Sequence, residues 1–247
     1  MRILAIGDPH GNLDKIKQIP IKVVELILLT GDLGKADLVR KFTFENVERK
    51  SKGLKEKKLT KKGEKAMSEE IYDSTMKIIN YLSKIAPVYT IYGNVEPYRR
   101  RSSKEKRLGI PFLTDVLNRK KNLEVINNKL LEIGGIKIGG LKYFIDINWV
   151  RDFKPSDYNK RLKEAKKETD RAKRILERFG NVDILVCHQP PYRVLDKVTA
   201  KFAPRHWQGK HAGSKVILDY IKKYQPKYVF CGHIHEGEGF KKIGRTE

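Results

Sequence analysis

The amino-acid sequence predicts an α/β fold, and three observations carry that expectation. Short apolar runs of strand length recur, each closing on a glycine-rich or polar turn. Segments with helical spacing of apolar residues lie between them, and 247 residues suffice for one sizeable core. Residues 2–6 read as a buried strand running into Gly7-Asp8-Pro9-His10-Gly11-Asn12. Asn12 is suited to cap a short helix, with Leu13, Ile16 and Ile19 at helical spacing and Pro20 just beyond. A second strand over 26–30 enters Gly31-Asp32-Leu33-Gly34, and a third over 88–92 enters Gly93-Asn94-Val95-Glu96-Pro97. Later, residues 182–186 lead into Cys187-His188-Gln189-Pro190-Pro191. Residues 227–230 lead into Cys231-Gly232-His233-Ile234-His235-Glu236-Gly237.

The stretch between the second and third strands, about 38–86, is long and charged. Residues 49–65 alternate Lys with Glu, Gly and Ser, and read as a mobile or loosely helical projection ahead of a helix over 68–85. Another helix is expected over 156–179, with Ser156 as N-cap and Gly180 as its stop. Tyr158, Leu162, Ala165, Thr169, Ala172, Ile175 and Phe179 form its buried stripe. Residues 123–126, 130–133 and 136–140 read as short meandering strands, with a hairpin at Gly134-Gly135. No repeat and no boundary stands out. A single domain over 1–247 is therefore expected, with a Lys-rich helical insertion at about 38–86.

Composition narrows the setting. No apolar run reaches the roughly 18 residues of a membrane helix, and the N-terminal apolar stretch is too short for a signal peptide. Two cysteines, Cys187 and Cys231, argue against a disulfide framework, so a cytoplasmic location is expected. Both stand beside candidate ligands, but buried cysteines at strand ends are commonly small hydrophobes, and zinc–thiolate binding is the minor reading. The formal net charge of +23 favours polyanions, nucleic acid among them. Abundant Lys and Glu with little Gln also fit a heat-adapted composition.

Five predicted strands end in residues able to bind metal, and ligands of open α/β sheets gather beyond the carboxyl ends of strands. His233 and His235 alone would be a solvated turn as readily as a site. Side chains two apart on an extended segment do share a side, however. Together, Asp8-Pro9-His10, Gly31-Asp32, Gly93-Asn94, His188 and Gly232-His233-Ile234-His235 occur in an order that resembles the calcineurin-like metallophosphoesterase family. Gly213-Ser214-Lys215 and Tyr224-Gln225-Pro226 are similar to members of that family too. The resemblance implies a four-layer αββα sandwich of two mixed β-sheets flanked by helices. It also implies that Asp8, His10, Asp32 and His235 hold one metal, and that Asp32, Asn94, His188 and His233 hold a second. The reaction implied is hydrolysis of a phosphate ester by a water that two metals activate, with Asp32, Asn94 and His188 as its catalytic residues. The cofactors would be two divalent transition-metal ions, manganese first, with iron, nickel, cobalt and zinc also suited to this donor set. Phosphodiesters, as nucleotides or nucleic acid, are the expected substrates. The alternatives are a phosphomonoesterase of the same fold, or a non-catalytic metal-binding scaffold or nucleic-acid-binding protein.

Two departures from the family pattern bear on this reading. After Asn94, family members often carry a histidine held to protonate the leaving oxygen or steady the transition state; here Val95 stands there, so that role is lost or supplied elsewhere. His206 and His211 are the nearest unassigned imidazoles by sequence, although plain surface-loop residues would look the same. With Asn94 they are the candidates for binding substrate. The second departure is the short run after the Gly-His-x-His turn, which leaves either a very short closing strand or an incomplete sequence.

Overall fold

Helices long enough to carry the chain back along a sheet separate most of the strands, so parallel pairing predominates. A computed structural model of the chain describes every residue except 22, 97–102, 156 and 201–202. It divides into two units, Met1–Val125 and Ile126–Glu247.

The first unit runs β1 (Ile3–Ile6), α1 (Leu13–Lys17), β2 (Leu26–Leu29), α2 (Asp37–Ser51), α3 (Lys61–Leu82), β3 (Val88–Thr90), α4 (Ser103–Leu108), α5 (Leu113–Asn118) and β4 (Leu123–Val125). Its sheet has the order β1-β2-β3-β4, and every pairing is parallel. Ile6 lies opposite Leu29, and Leu29 opposite Thr90, so three strands end in one row. Ile27, Leu29, Ile78, Ile79, Leu82 and Leu117 are fully buried in one cluster. Each such side chain contributes about 1.5–3 kcal/mol relative to an exposed one. Asn12 caps α1 by accepting from the Lys15 N–H, as its position in the sequence predicts.

Two expectations for this unit are corrected. Residues 49–65 are not a loose projection: α2 extends to Ser51, and α3 starts at Lys61 rather than 68, capped by Thr60. The connection folds back on α2. Asn46 Nδ2 donates to the Lys57 carbonyl (3.1 Å), the Lys57 N–H donates to Asn46 Oδ1 (2.7 Å), and Arg49 Nε donates to the Lys55 carbonyl (2.8 Å). Lys, Glu and Arg are good helix formers, but without an apolar stripe they leave no periodic mark in the sequence. Residues 123–126 do not join a meander either. β4 pairs parallel with β3, because α5 returns the chain to the sheet.

The second unit runs β5 (Lys129–Ile133), β6 (Ile136–Leu141), α6 (Ile147–Phe153), α7 (Tyr158–Phe179), β7 (Ile184–Cys187), α8 (Lys215–Tyr224) and β8 (Tyr228–Phe230). β5 and β6 form the expected antiparallel hairpin, with Gly134 and Gly135 at φ 56° and 77°. β6, β7 and β8 are parallel, so mixed pairing belongs to this sheet. Leu141 faces Cys187 and Val186 faces Phe230, which again aligns three strand ends. Ala165, Thr169, Ala172, Ile175, Leu176 and Phe179 are the buried positions of α7. Its expected cap, Ser156, lies outside the described residues; Asp157 occupies the N-cap and its carboxylate bonds Arg161 Nε instead. After β8 no further strand forms among the described residues. Ile243 bridges to Thr246, the Glu247 N–H donates to the Lys227 carbonyl (3.1 Å), and the Glu247 carbonyl accepts from the Val229 N–H (2.7 Å). The two four-stranded sheets and their flanking helices make the α/β fold. Among the described residues no helix is long and apolar enough to cross a membrane.

Candidate metal centre

In the first unit, Asp8 stands two residues beyond β1, Asp32 three beyond β2 and Asn94 four beyond β3. All three are at the carboxyl edge where ligands of α/β sheets collect. Asp8, His10 and Asp32 have left-handed backbones, at φ 37°, 42° and 47°. That conformation costs a non-glycine residue about 1–2 kcal/mol, so the surrounding structure must hold it. The bonds that do so are visible. Thr30 Oγ1 accepts from the Asp8 N–H (3.3 Å) and donates to Asp8 Oδ1 (3.1 Å). The His10 N–H donates to the Asp32 carbonyl (3.0 Å), and the Gly11 N–H to the Leu33 carbonyl (2.8 Å). At Gly31 a Cβ would come within 2.3 Å of the Gly93 nitrogen, so only glycine allows the two turns to approach.

Glu96, 1% exposed, is the brace that sequence reasoning did not single out. Its Oε2 accepts from the Asp32 N–H (3.0 Å) and the Gly93 N–H (2.7 Å), and its Oε1 from the Leu33 N–H (2.6 Å). One buried carboxylate thus gathers three main-chain donors of two loops, and charge-assisted bonds of this kind are the strong ones. The only sequence signal was an acidic residue two beyond Asn94. Asp32 is fixed in turn: its Oδ1 accepts from the Val95 N–H (2.8 Å), while His10 Nε2 lies 3.8 Å from its Oδ2. Val95 therefore contributes through its main chain. Asn94, flanked by these contacts, is exposed.

In the second unit, His188 follows β7 directly and is fully buried. Its carbonyl accepts from the Gly232 N–H (2.9 Å), which ties the His188 loop to the turn carrying His233 and His235. His233 is left-handed, at φ 73°, and its ring centroid lies 4.9 Å from that of His188. Tyr143, two residues beyond β6, sets its ring 5.6 Å from each of them. Nothing but its place after a strand could have marked Tyr143 in the sequence. His235 opens an exposed 3-10 turn, His235–Gly237. Ile234, extended between the two histidines, packs into the cluster of Phe153, Val198, Ala212 and Trp207. Cys187 is fully buried in the second core, and burial pushes its thiol up. Its Sγ donates to the Gln189 carbonyl at 3.4 Å, the behaviour of a packing residue.

His206 and His211 are placed differently from each other. His206 is exposed on the 3-10 turn Arg205–Trp207, its ring 5.9 Å from that of Trp207. His211 Nδ1 is 2.6 Å from Oδ1 of the buried Asp196.

The donors fit divalent transition metals. The first unit offers two carboxylates, an amide oxygen and an imidazole, and the second offers three imidazoles. Four of those seven residues, Asp8, His10, Asp32 and His233, hold left-handed backbones, a strain that tends to mark functional positions.

Comparison with known proteins agrees. The family model described as calcineurin-like phosphoesterase matches residues 1–237 and so runs through both units. One solved crystal structure is 14% identical, with a TM-score of 0.59, over 99% of this chain and 87% of that one; at this identity the likeness speaks for the fold. A structure described as a candidate 5'-nucleotidase from Staphylococcus aureus in complex with alpha-ketoglutarate is 12% identical, with a TM-score of 0.42. It is covered over 45% of its length by 94% of this chain. No curated protein sequence matches. A family match over nearly the whole sequence, a fold of two four-stranded sheets and side chains able to bind metal at their strand ends lead to one statement: the chain belongs to the calcineurin-like phosphoesterase family, metal-dependent hydrolases of phosphate esters.

Proposed function

We propose that the protein hydrolyses phosphodiesters, nucleotides or nucleic acid, with two divalent transition-metal ions, manganese by preference. In this reading Asp8, His10, Asp32 and His235 hold one ion, and Asp32, Asn94, His188 and His233 the other. The two units act as a single domain. When bound, such ions supply Lewis acidity to the phosphate oxygens and make a water molecule acidic enough to act as nucleophile at neutral pH. The residues supply the rest. Asp32, with one oxygen pinned by the Val95 N–H, is presented in a single orientation as the shared carboxylate. Asn94, exposed on its turn, can donate an amide N–H to a phosphate oxygen as charge builds there. His206 and His211 are the further candidates for contact with substrate.

The observation that carries this reading is the backbone strain concentrated at Asp8, His10, Asp32 and His233. The diester preference rests on the net charge of +23, which draws polyanions. Metal analysis of the purified protein, beside rates on matched phosphomonoesters and phosphodiesters, tests both parts. Two ions per chain and faster diester hydrolysis are expected. One ion per chain would overturn the dinuclear assignment, and faster monoester hydrolysis would overturn the diester preference.

A further inference from the structure

We infer that His211, oriented by Asp196, gives the proton to the leaving oxygen of the phosphate ester, the task for which Val95 has no group. The inference rests on the phosphoesterase reading above and adds a residue to it.

The dyad is built rather than incidental. Asp196 is 1% exposed, and its three partners are all fixed: Oδ1 lies 2.6 Å from His211 Nδ1, while Oδ2 accepts from the Arg193 N–H (2.8 Å) and the Gly213 N–H (3.0 Å). A buried carboxylate on Nδ1 sets the tautomer and plane of an imidazole, and leaves Nε2 as the nitrogen to meet a substrate. The His211 side chain is 32% exposed, so one edge is accessible. The segment around Asp196 bears strain of its own, with Arg193 and Leu195 left-handed at φ 62° and 53°. It is stitched to the His211 segment by the Ala212 N–H to the Asp196 carbonyl (2.9 Å) and the Val198 N–H to the Lys210 carbonyl (2.9 Å).

The same segment is seated on both histidine loops of this unit. The Leu195 carbonyl lies against Gly237, two residues past His235, where a Cβ would come within 1.8 Å of it. Glu236 Oε1 accepts from the N–H groups of Thr199 (3.2 Å) and Ala200 (2.6 Å). On the other side the Ser214 N–H donates to the carbonyl of Pro190, two residues past His188 (2.9 Å). The Tyr192 ring, 5.7 Å from that of His211, carries Arg193 and Lys215 over it at 5.6 and 5.0 Å. Lys197 bridges His211 through the main chain, and Lys210 Nζ is turned onto the Asp152 carbonyl. These cations suit an anionic ester. His206 lacks this bracing: it is exposed and packs edge-on against Trp207.

In the step, the bond from phosphorus to the leaving oxygen breaks, its electron pair goes to that oxygen, and the oxygen takes the Nε2 proton of the His211 imidazolium, which becomes the neutral tautomer with Nδ1–H held by Asp196. The oxygen of water forms the new bond to phosphorus and its proton passes to solvent, from which the imidazole is reprotonated.

The test is a series of phosphodiesters with leaving groups graded from nitrophenol to simple alcohols, at saturating Mn²⁺. Wild type, His211→Ala, Asp196→Asn and His206→Ala are compared, with metal content measured for each. Wild type is expected to depend little on the leaving group. His211→Ala should lose about 10²–10⁴-fold on alkyl esters but under about tenfold on nitrophenyl esters, with metal content unchanged. Asp196→Asn should steepen the dependence in the same direction by a smaller factor, whereas any loss in His206→Ala should be equal on every ester. If His211→Ala does not fold, Asp196→Asn, which keeps an acceptor for Arg193 and Gly213, decides the matter. An equal loss on every ester by His211→Ala, loss of metal from it, or a steep dependence already in wild type would overturn the inference alone. No hydrolysis of any ester by metal-loaded wild type would overturn the phosphoesterase reading, and this inference with it.

Discussion

The two units prepare their strand ends with different chemistry. The first presents carboxylates, Asp8 and Asp32, beyond a wholly parallel sheet, and steadies them with main-chain N–H groups and the buried Glu96. The second presents imidazoles, His188, His233 and His235, beyond a mixed sheet, with Tyr143 packed on two of the rings. Charge explains the division. A carboxylate can neutralise cations and be shared between them, whereas an imidazole donates one nitrogen and no charge. Bracing follows the same line. Glu96 holds the backbone of Asp32 and of the Gly93 turn, while in the second unit two buried aspartates, Asp146 and Asp196, pin the loops near His188 and His235.

That contrast is most easily broken at Asp32. Asp32→Asn keeps the shape and removes the charge that both ions are proposed to share, so both should be lost together, with activity down by about 10³-fold or more. His235→Ala, in the second unit, should release only the ion it shares with Asp8 and His10. Elemental analysis after dialysis reads the difference. Equal metal loss in the two variants would erase the distinction between the units.

A smaller effect is expected at the brace. Glu96→Gln replaces one acceptor oxygen with a donor, which leaves a main-chain N–H of Asp32, Gly93 or Leu33 facing an amide NH₂. The expected cost is about 1–3 kcal/mol in denaturant unfolding. Metal affinity should fall by about 10–100-fold, as for other groups that orient ligands. Loss of stability with unchanged metal affinity would make Glu96 a brace of the fold only.

Ser214→Ala is the matching change in the second unit. Ser214 caps α8 by accepting from the Ile217 N–H (3.3 Å) and donates to Asp146 Oδ2 at 2.6 Å. Burial pushes the Asp146 carboxyl up, and bonds from Ser214 and Asn148 oppose that shift. Because the folded pKa lies above the unfolded one, the stabilisation from Asp146 is complete below the unfolded value and fades as pH rises through the folded one. The variant should lose about 1–2 kcal/mol, and lose more at neutral pH than in acid, because the ionised carboxylate is the form that most needs the Ser214 donor. Thermal melts at neutral and acid pH check this; a pH-independent loss would leave capping as the whole effect.

The smallest expected effect lies outside both strand ends. Replacing Lys50, Lys52, Lys55 and Lys58 with Gln should weaken retention of duplex DNA and lower its salt slope by about 0.9 for each phosphate no longer neutralised. Hydrolysis of a small aryl diester should persist. Lys57 is left in place because its ammonium pairs with Glu45 across the connection. Unchanged DNA retention would leave heat-adapted composition as the account of these lysines.

Local patterns of residue type were enough to say which residues end the strands. Apolar runs at 2–6, 26–30, 88–92, 182–186 and 227–230 were legible because buried parallel strands are continuously hydrophobic, and each was followed by a side chain of a type able to bind metal. The cap of α1 and the hairpin between β5 and β6 were legible for a similar reason: Asn12 and Gly134-Gly135 act through neighbouring residues. The helix α2 was not, since a helix of Lys, Glu and Arg with no apolar stripe has no period to read. Nor was the pairing of β4, because a short strand's edge is chosen by what α5 packs against, not by its own three residues. It took the folded chain to bring Glu96 to the Asp32, Leu33 and Gly93 amides, Tyr143 to His188 and His233, and Asp196 rather than solvent to His211. Apart from the Glu96–Gly93 bond, those contacts join residues far apart in the sequence. Their energies depend on burial and on distances of about 3 Å, which no local pattern of residue types encodes.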